Sequence, residues 1–155
     1  MTALTAAGVG HAAVMATLHG ACFDKTGETA WDEPAMAELL AMPGALAFIA
    51  SAGDQPVGFI LARLAADEGE IITIGTRPDV RRQGIGESLL TRTIETAASA
   101  GATRIFLEVA ADNAPALTFY RGRDFKDCGR RKGYYRRTGG PVDAYILVFE
   151  IAAGK

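Results

Sequence analysis

The apolar positions along the chain change period several times, and each change marks an element. From 8 to 22, Val9, Val14, Leu18 and Cys22 recur near helical spacing and predict a first helix. The loop FDKTGETAWDEP follows, and Pro34 opens a short second helix that ends before Pro43-Gly44. ALAFIASA (45–52) and PVGFILARLA (56–65) are strand-like apolar runs joined by Gly53-Asp54-Gln55, a hairpin signal. GEIITIGT (69–76) is a third run, rich in β-branched residues. Helical spacing returns from about Gly84 to Ala100 through Ile85, Leu89, Ile94 and Ala97, and Gly101 supplies a stop. TRIFLEVA (103–110) predicts a strand. NAPALTFYRGR (113–123) predicts a helix with Asn113 as N-cap and Pro115 in the first turn. DFKDCGRRKGYY and VDAYILVFEI predict two closing strands. The order is α-α-β-β-β-α-β-α-β-β, an α/β (α+β) pattern. Early hairpins and later helix-separated strands imply a mixed sheet with helices on its faces.

Composition narrows the classes. At 155 residues the chain is long enough for one domain with a core of its own. A net charge of −2 lacks the basic excess of a general nucleic-acid binder. Cys22 and Cys128 lie far apart without metal-ligand spacing, and are expected to be buried thiols rather than a metal site or a disulfide. His11 and His19 read as structural or surface residues. The Ala-rich start lacks the positive region of a secretory signal, and no run approaches the ~18 apolar residues of a membrane span. The expectation is a soluble, cytoplasmic protein with no metal.

The chemistry is densest in RPDVRRQGIGESLL, between the third strand and its helix. Backbone N–H groups at a helix start have no intrahelical partners and attract anions. Gly84 and Gly86 remove side chains there, while Arg81 and Arg82 add positive charge. A P-loop is excluded, because no GK[ST] is present. A dinucleotide fingerprint is excluded, because Leu89 stands where its third glycine belongs. By pattern alone the loop is either a charged turn or a phosphate cradle.

Arg81-x-x-Gly84-x-Gly86, placed between a strand and an amphipathic helix, resembles the acyl-CoA pyrophosphate loop of the GNAT N-acetyltransferases. The resemblance covers most of the chain and is densest from Gly69 to Ile151. ITIGTRPDVRRQGIGESLL is similar to the family's main cofactor motif, and FLEVAADNAPALTFY to its next strand, asparagine and tyrosine. GRRKGYY and DAYIL resemble its closing hairpin. Within the family the pieces resemble the RimI-type protein N-terminal acetyltransferases, which acetylate a ribosomal small-subunit protein in bacteria.

The resemblance implies a single GNAT domain over 1–155, with a mostly antiparallel sheet of about six to seven strands flanked by about four helices. It implies acetyl-CoA as the cofactor, with backbone groups of Ile74, Gly75 and Thr76 pairing with the pantetheine arm. Arg81, Arg82, Gln83, Gly84, Ile85, Gly86 and Glu87 would surround the pyrophosphate, and Asn113 would hold the cofactor near its thioester. Glu87 also reads as a first-turn partner of the helix dipole. The acceptor implied is a protein or peptide N-terminus, a ribosomal protein among the candidates, with no direct nucleic acid and no membrane.

Two side chains carry the implied proton chemistry. Glu108, in IFLEV, reads on spacing alone as a solvent-facing strand residue or a base. The resemblance implies a general base, its pKa raised by partial burial. Tyr120 closes the pattern N-x-x-A-x-x-x-Y that begins at Asn113, and reads as a packing aromatic beside Phe119 or as the general acid that the resemblance implies. Tyr134 and Tyr135 resemble the paired tyrosines that line the acceptor-peptide groove. Nearby, Gly133 replaces the family's usual Asn, Arg136 its Pro and Asp124 its Gly, and Val142 stands where an acidic residue is common. The basic run Arg130-Arg131-Lys132 with Arg136-Arg137 reads as a solvated hairpin or as a contact for an acidic protein or RNA. A small-amine (polyamine or antibiotic) acetyltransferase and a non-catalytic acyl-CoA-binding module are the alternatives. Retention of both Glu108 and Tyr120 favours an enzyme.

Overall fold

Strands β2 (Ala45–Ala52) and β3 (Gln55–Ala65) have apolar side chains on both faces, so each strand needs cover above and below. Ala47, Ile49, Phe59 and Leu61 pack toward helices α1 (Ala12–Phe23) and α2 (Glu33–Ala41). The alternate residues Phe48, Ala50, Ile60 and Ala62 join the core under α3 (Ile85–Ser99) and α4 (Ala114–Arg121). Two hydrophobic cores therefore sandwich one sheet. The computed structural model describes residues 2–23 and 31–151.

The remaining strands are β1 (Thr2–Ala7), β4 (Glu68–Thr76), β5 (Arg104–Ala110), β6 (Lys126–Arg137) and β7 (Gly140–Glu150). The seven lie in the order β1-β2-β3-β4-β5-β7-β6. Every pair is antiparallel except β4–β5. α3 is the connection between those two parallel strands. Its stripe Ile85, Leu89, Thr93 and Ala97 is buried at four-residue intervals. Burying one large apolar side chain such as Leu89 contributes roughly 1.5–3 kcal/mol, so this stripe anchors the helix firmly.

Three expectations fail. The first element is a strand, β1, pairing antiparallel with β2 from Thr2↔Ala52 to Ala7↔Ala47. TALTAA offers little contrast between its two faces, so nothing in its pattern signals a strand. Second, Val9 and Val14 are 52% and 36% exposed. Leu18 and Cys22 are buried as expected, and α1 completes its buried face with Ala12 and Met15. In an Ala-rich segment every face is apolar, and only the partner surface selects the buried one. Third, Cys128 is exposed on the edge strand β6, whereas Cys22 is buried. The loop expected over 23–34 lies largely outside the described residues.

His19 is not a surface residue. It is buried, stacks on Trp31 with ring centroids 4.7 Å apart, and accepts the Trp31 backbone N–H at Nδ1 (3.2 Å). It thus ties α1 to the approach of α2. Burial lowers its pKa from the ordinary value of 6.5, so the folded protein holds it neutral in a range where the unfolded chain protonates it. Its stability contribution is complete above about pH 6.5 and falls as the pH drops toward the lowered value. The melting temperature is therefore expected to fall between pH 7 and 5, and His19→Gln is expected to flatten that slope. Thermal scans across this window check it, and equal slopes in both proteins would rule it out.

Candidate active site

β4 and β5 pair over only three residues, Glu68↔Arg104 to Glu70↔Phe106. Beyond that point the strands part, although both continue, to Thr76 and Ala110. A bulge helps to separate them. Leu61 pairs with Thr73 and Ala62 with Ile71, which leaves Ile72 as an extra residue in β4. Between the parted strands lies a cleft of about 720 Å³. Each strand meets it with a backbone edge that lacks a strand partner there, a source of unsatisfied N–H and C=O groups.

Six of the expected site residues line this cleft: Ile74, Glu108, Asn113, Tyr120, Tyr134 and Tyr135. Gly75 and Thr76 continue β4 past its lining. Gly75 has a packing reason of its own, since a Cβ there would meet Cys22 Sγ and Phe59 Cε1 at 2.9 Å each. His19, Trp31, Glu70, Asp112 and Arg137 also line the cleft and were not expected there. One carried a faint signal: Trp31 is the single tryptophan. The others become neighbours only through the fold.

The glycine loop follows the end of β4. Arg82 and Gly84 both take left-handed backbone, at φ +67° and +80°. Gly84 is the N-cap of α3 and offers no side chain, and the first intrahelical bond is Ser88 N–H to Gly84 O. The N–H groups of Ile85, Gly86 and Glu87 therefore point out of the helix start without intrahelical partners. A Cβ on Gly84 would meet nothing within 4 Å, so its glycine is explained by backbone conformation and open space. A Cβ on Gly86 would come 3.5 Å from Phe119, an ordinary contact. Arg81 turns inward. Its Nε donates to Thr76 O (3.2 Å) and its Nη2 to Cys22 O (3.4 Å), bracing the loop against β4 and α1. Arg82 and Gln83 are exposed. Glu87 accepts a bond from Arg123 Nη2 (3.2 Å), and the Arg123 guanidinium lies 4.0 Å over the Phe119 ring. The turn after α4 thereby grips the first turn of α3.

Asn113 caps α4, with Oδ1 accepting the Ala116 N–H at 3.2 Å, while its residue also lines the cleft. Tyr120 is buried and packs edge-on against Phe119 and Phe125, at 5.2 and 5.5 Å. It is a packing aromatic whose residue also borders the cleft. Burial pushes its phenol pKa well up, so the proton stays on Oη near neutral pH. The Glu108 side chain is 20% exposed and accepts Arg131 Nε at 2.8 Å. Tyr134 is 54% exposed and meets Tyr135 edge-on at 5.2 Å. Arg137 Nε reaches Asp112 (3.2 Å) and links the hairpin to the β5–α4 turn.

The basic hairpin is partly ion-paired, and the end of α4 pairs with it. Arg121 is bidentate to Asp127 (2.9 and 2.7 Å), and Arg130 Nε bonds Asp143 at 2.7 Å. Asp143 also accepts the Gly133 N–H (2.8 Å); these bonds, the backbone one first, hold its carboxyl below the usual range. Among the described residues no group of three or more His, Cys, Asp or Glu side chains is arranged to hold a metal.

Comparison with known proteins fits this geometry. Residues 13–125 match the model of the acetyltransferase (GNAT) family. The [ribosomal protein bS18]-alanine N-acetyltransferase of Escherichia coli K12 is 34% identical over 94 residues. That match covers 61% of this chain and 64% of the relative, just under two thirds of its length. The N-alpha-acetyltransferase RimI of Mycobacterium tuberculosis is 34% identical over 125 residues, 78% of this chain and 76% of that one. The crystal structure of the E. coli ribosomal-protein-S18-alanine N-acetyltransferase superimposes with a TM-score of 0.90 at 24% identity, over 100% of this chain and 97% of that one. The chain belongs to the GNAT acetyltransferase family.

Proposed function

We propose that this protein is an acetyl-CoA-dependent N-acetyltransferase acting on the α-amine of a protein or peptide. The observation that carries the proposal is the cleft where β4 and β5 part, bordered by Glu108 and Tyr120 and followed by the uncapped start of α3. The residues fit the cofactor. Three outward N–H groups and two glycines suit a pyrophosphate. An unpaired strand edge suits a pantetheine arm with its amides, and Ile74, Gly75 and Thr76 are the residues assigned to it. When bound, acetyl-CoA supplies an acyl group activated as a thioester.

The chain's own residues supply the rest. Glu108 removes a proton from the acceptor ammonium, directly or through water. Tyr120 holds a proton at Oη for the departing sulfur. Asn113 positions the thioester end, and Tyr134 and Tyr135 border the acceptor's path. An α-amine has a pKa of ~7.7–8.0 against ~10.4 for lysine, so neutralising the lysine at pH 7 costs about 3.5 kcal/mol more. A carboxylate that shares its charge with Arg131 suits the easier acceptor. Relatives named for alanine acetylation of ribosomal protein bS18 support a protein N-terminus with a small first residue, and a cytoplasmic setting. Among the described residues no helix is long and apolar enough to cross a membrane.

Three outcomes are expected. Gly84→Val and Gly86→Val should each weaken acetyl-CoA binding by at least about tenfold, with circular dichroism unchanged. Calorimetry checks this, and wild-type affinity in both variants would sink the phosphate-cradle assignment. Tyr120→Phe should lower kcat by roughly 10²-fold or more while cofactor affinity holds. Turnover at the wild-type rate would remove Tyr120 as the acid. Finally, of two matched peptides, the one with a free N-terminus and blocked lysine should be acetylated and the reverse one should not, as read by mass spectrometry. Modification of the lysine peptide alone would overturn the α-amine assignment. Turnover only on polyamines or an aminoglycoside would identify a small-amine enzyme.

A further inference from the structure

Arg131 is the residue whose placement the reaction scheme leaves unexplained. It sits on β6, two strands away from Glu108, because β7 lies between β5 and β6. Two interstrand spacings are roughly 9–10 Å, a long reach for a surface ion pair. The register shows how it is bridged. Arg131 pairs with Ala144 of β7, and Ala144 pairs on its other side with Ala110 of β5. Both alanines are buried, and neither raises a long side chain in the row that Arg131 crosses. The position of β6 beside Ile146 is Gly129, which has no side chain at all.

The backbone at Arg131 is also built. Between the pairs Arg131↔Ala144 and Tyr135↔Val142, three β6 residues stand opposite the single residue Asp143. Gly133 makes the bulge with φ +59° and donates its N–H to Asp143 Oδ1. Asp143 Oδ2 takes the Nε of Arg130, the neighbour that points to the other side of the strand. Arg131 is left for Glu108, and its guanidinium lies 5.4 Å from the centre of the Tyr134 ring. Arg131 Nε engages Oε1 of Glu108, and among the described residues Oε2 has no protein partner.

We propose that Arg131 is a positioning residue for acyl transfer: it orients the Glu108 carboxylate and couples that orientation to the seating of the acceptor peptide beside Tyr134. The proposal rests on Glu108 serving as the base. A carboxylate held by one oxygen keeps the other in a fixed direction for the acceptor amine or its water. A planar guanidinium lying over an aromatic ring holds that geometry better than an ammonium would. A peptide that packs on Tyr134 presses on the same side chain that aims the base.

The test is a double-mutant cycle with steady-state kinetics on an N-terminal peptide. Arg131→Met keeps the aliphatic stem and removes the charge; it should lower kcat about tenfold, the scale of one charge-assisted hydrogen bond, and leave acetyl-CoA affinity unchanged. Arg131→Lys should recover part of the loss. In a Glu108→Gln background, Arg131→Met should cost less than about twofold, because the group it orients is gone. Circular dichroism confirms folding, and Arg131→Gln replaces the methionine variant if that one does not fold. Wild-type kcat in the folded Arg131 variant, or the same loss with and without Glu108, overturns the positioning role while the base assignment stands. Wild-type turnover by Glu108→Gln alone overturns the base assignment, and the positioning role with it.

Discussion

The interruption of hydrogen bonding between β4 and β5 governs this molecule. A parallel pair that closes after three residues leaves two backbone edges facing a space. Buried backbone groups without partners are costly, so such an opening persists only when the surroundings hold the strands apart. Here the Ile72 bulge bends β4 away, and β3 keeps the far half of β4 in register up to Gly58↔Thr76. On the other side β7 holds β5 over seven pairs. Each half of the sheet is complete in itself, and the cleft is the seam between them.

The helices then complete what the strands open. α3 leaves from the end of β4 through a loop with two left-handed residues, and its first turn is uncapped. α4 starts just after β5 and brings Asn113 and Tyr120 to the cleft. Phe119 of α4 lies against Gly86, and Arg123 in the turn after α4 bonds Glu87, so together they grip the first turn of α3. The proposed phosphate end and the proposed acid therefore belong to one packed unit. On the opposite face of the sheet, the buried His19–Trp31 stack ties α1 to the approach of α2 and borders the same cleft.

Two of the four departures from the family pattern that the resemblance implied, Asp124 and Gly133, have a backbone explanation. Asp124 takes φ +71° where the family usually has glycine, and Gly133 takes φ +59° where it usually has asparagine. Gly, Asn and Asp are the residues that enter left-handed backbone most readily, so both replacements keep the turn and change the side chain. Three of the hairpin's cations, Arg130, Arg131 and Arg137, each face a carboxylate. That distribution supports an ordered wall of the cleft more than a broad basic surface.

The sequence by itself determined the elements whose pattern has contrast. β2 to β5, α3, α4 and the closing hairpin could be read from periodicity and turn residues, and so could the helix start at Gly84, because a left-handed residue and an uncapped turn leave a glycine signature. At the start of the chain the two helices were legible, but β1 was missed and Val9 and Val14 were placed on the buried face. Alanine and threonine make TALTAA a strand only when β2 lies beside it, and α1 buries whichever face the sheet covers. The site divided in the same way. Ile74, Glu108, Asn113, Tyr120, Tyr134 and Tyr135 were named from motifs, and the fold brought them to one cleft. Glu70, Asp112 and Arg137 lie there because of strand order, and Arg131 meets Glu108 because an alanine row lets it cross β7. Pairwise distance between strands remote in sequence is not a local property, so only the tertiary structure decided those partners.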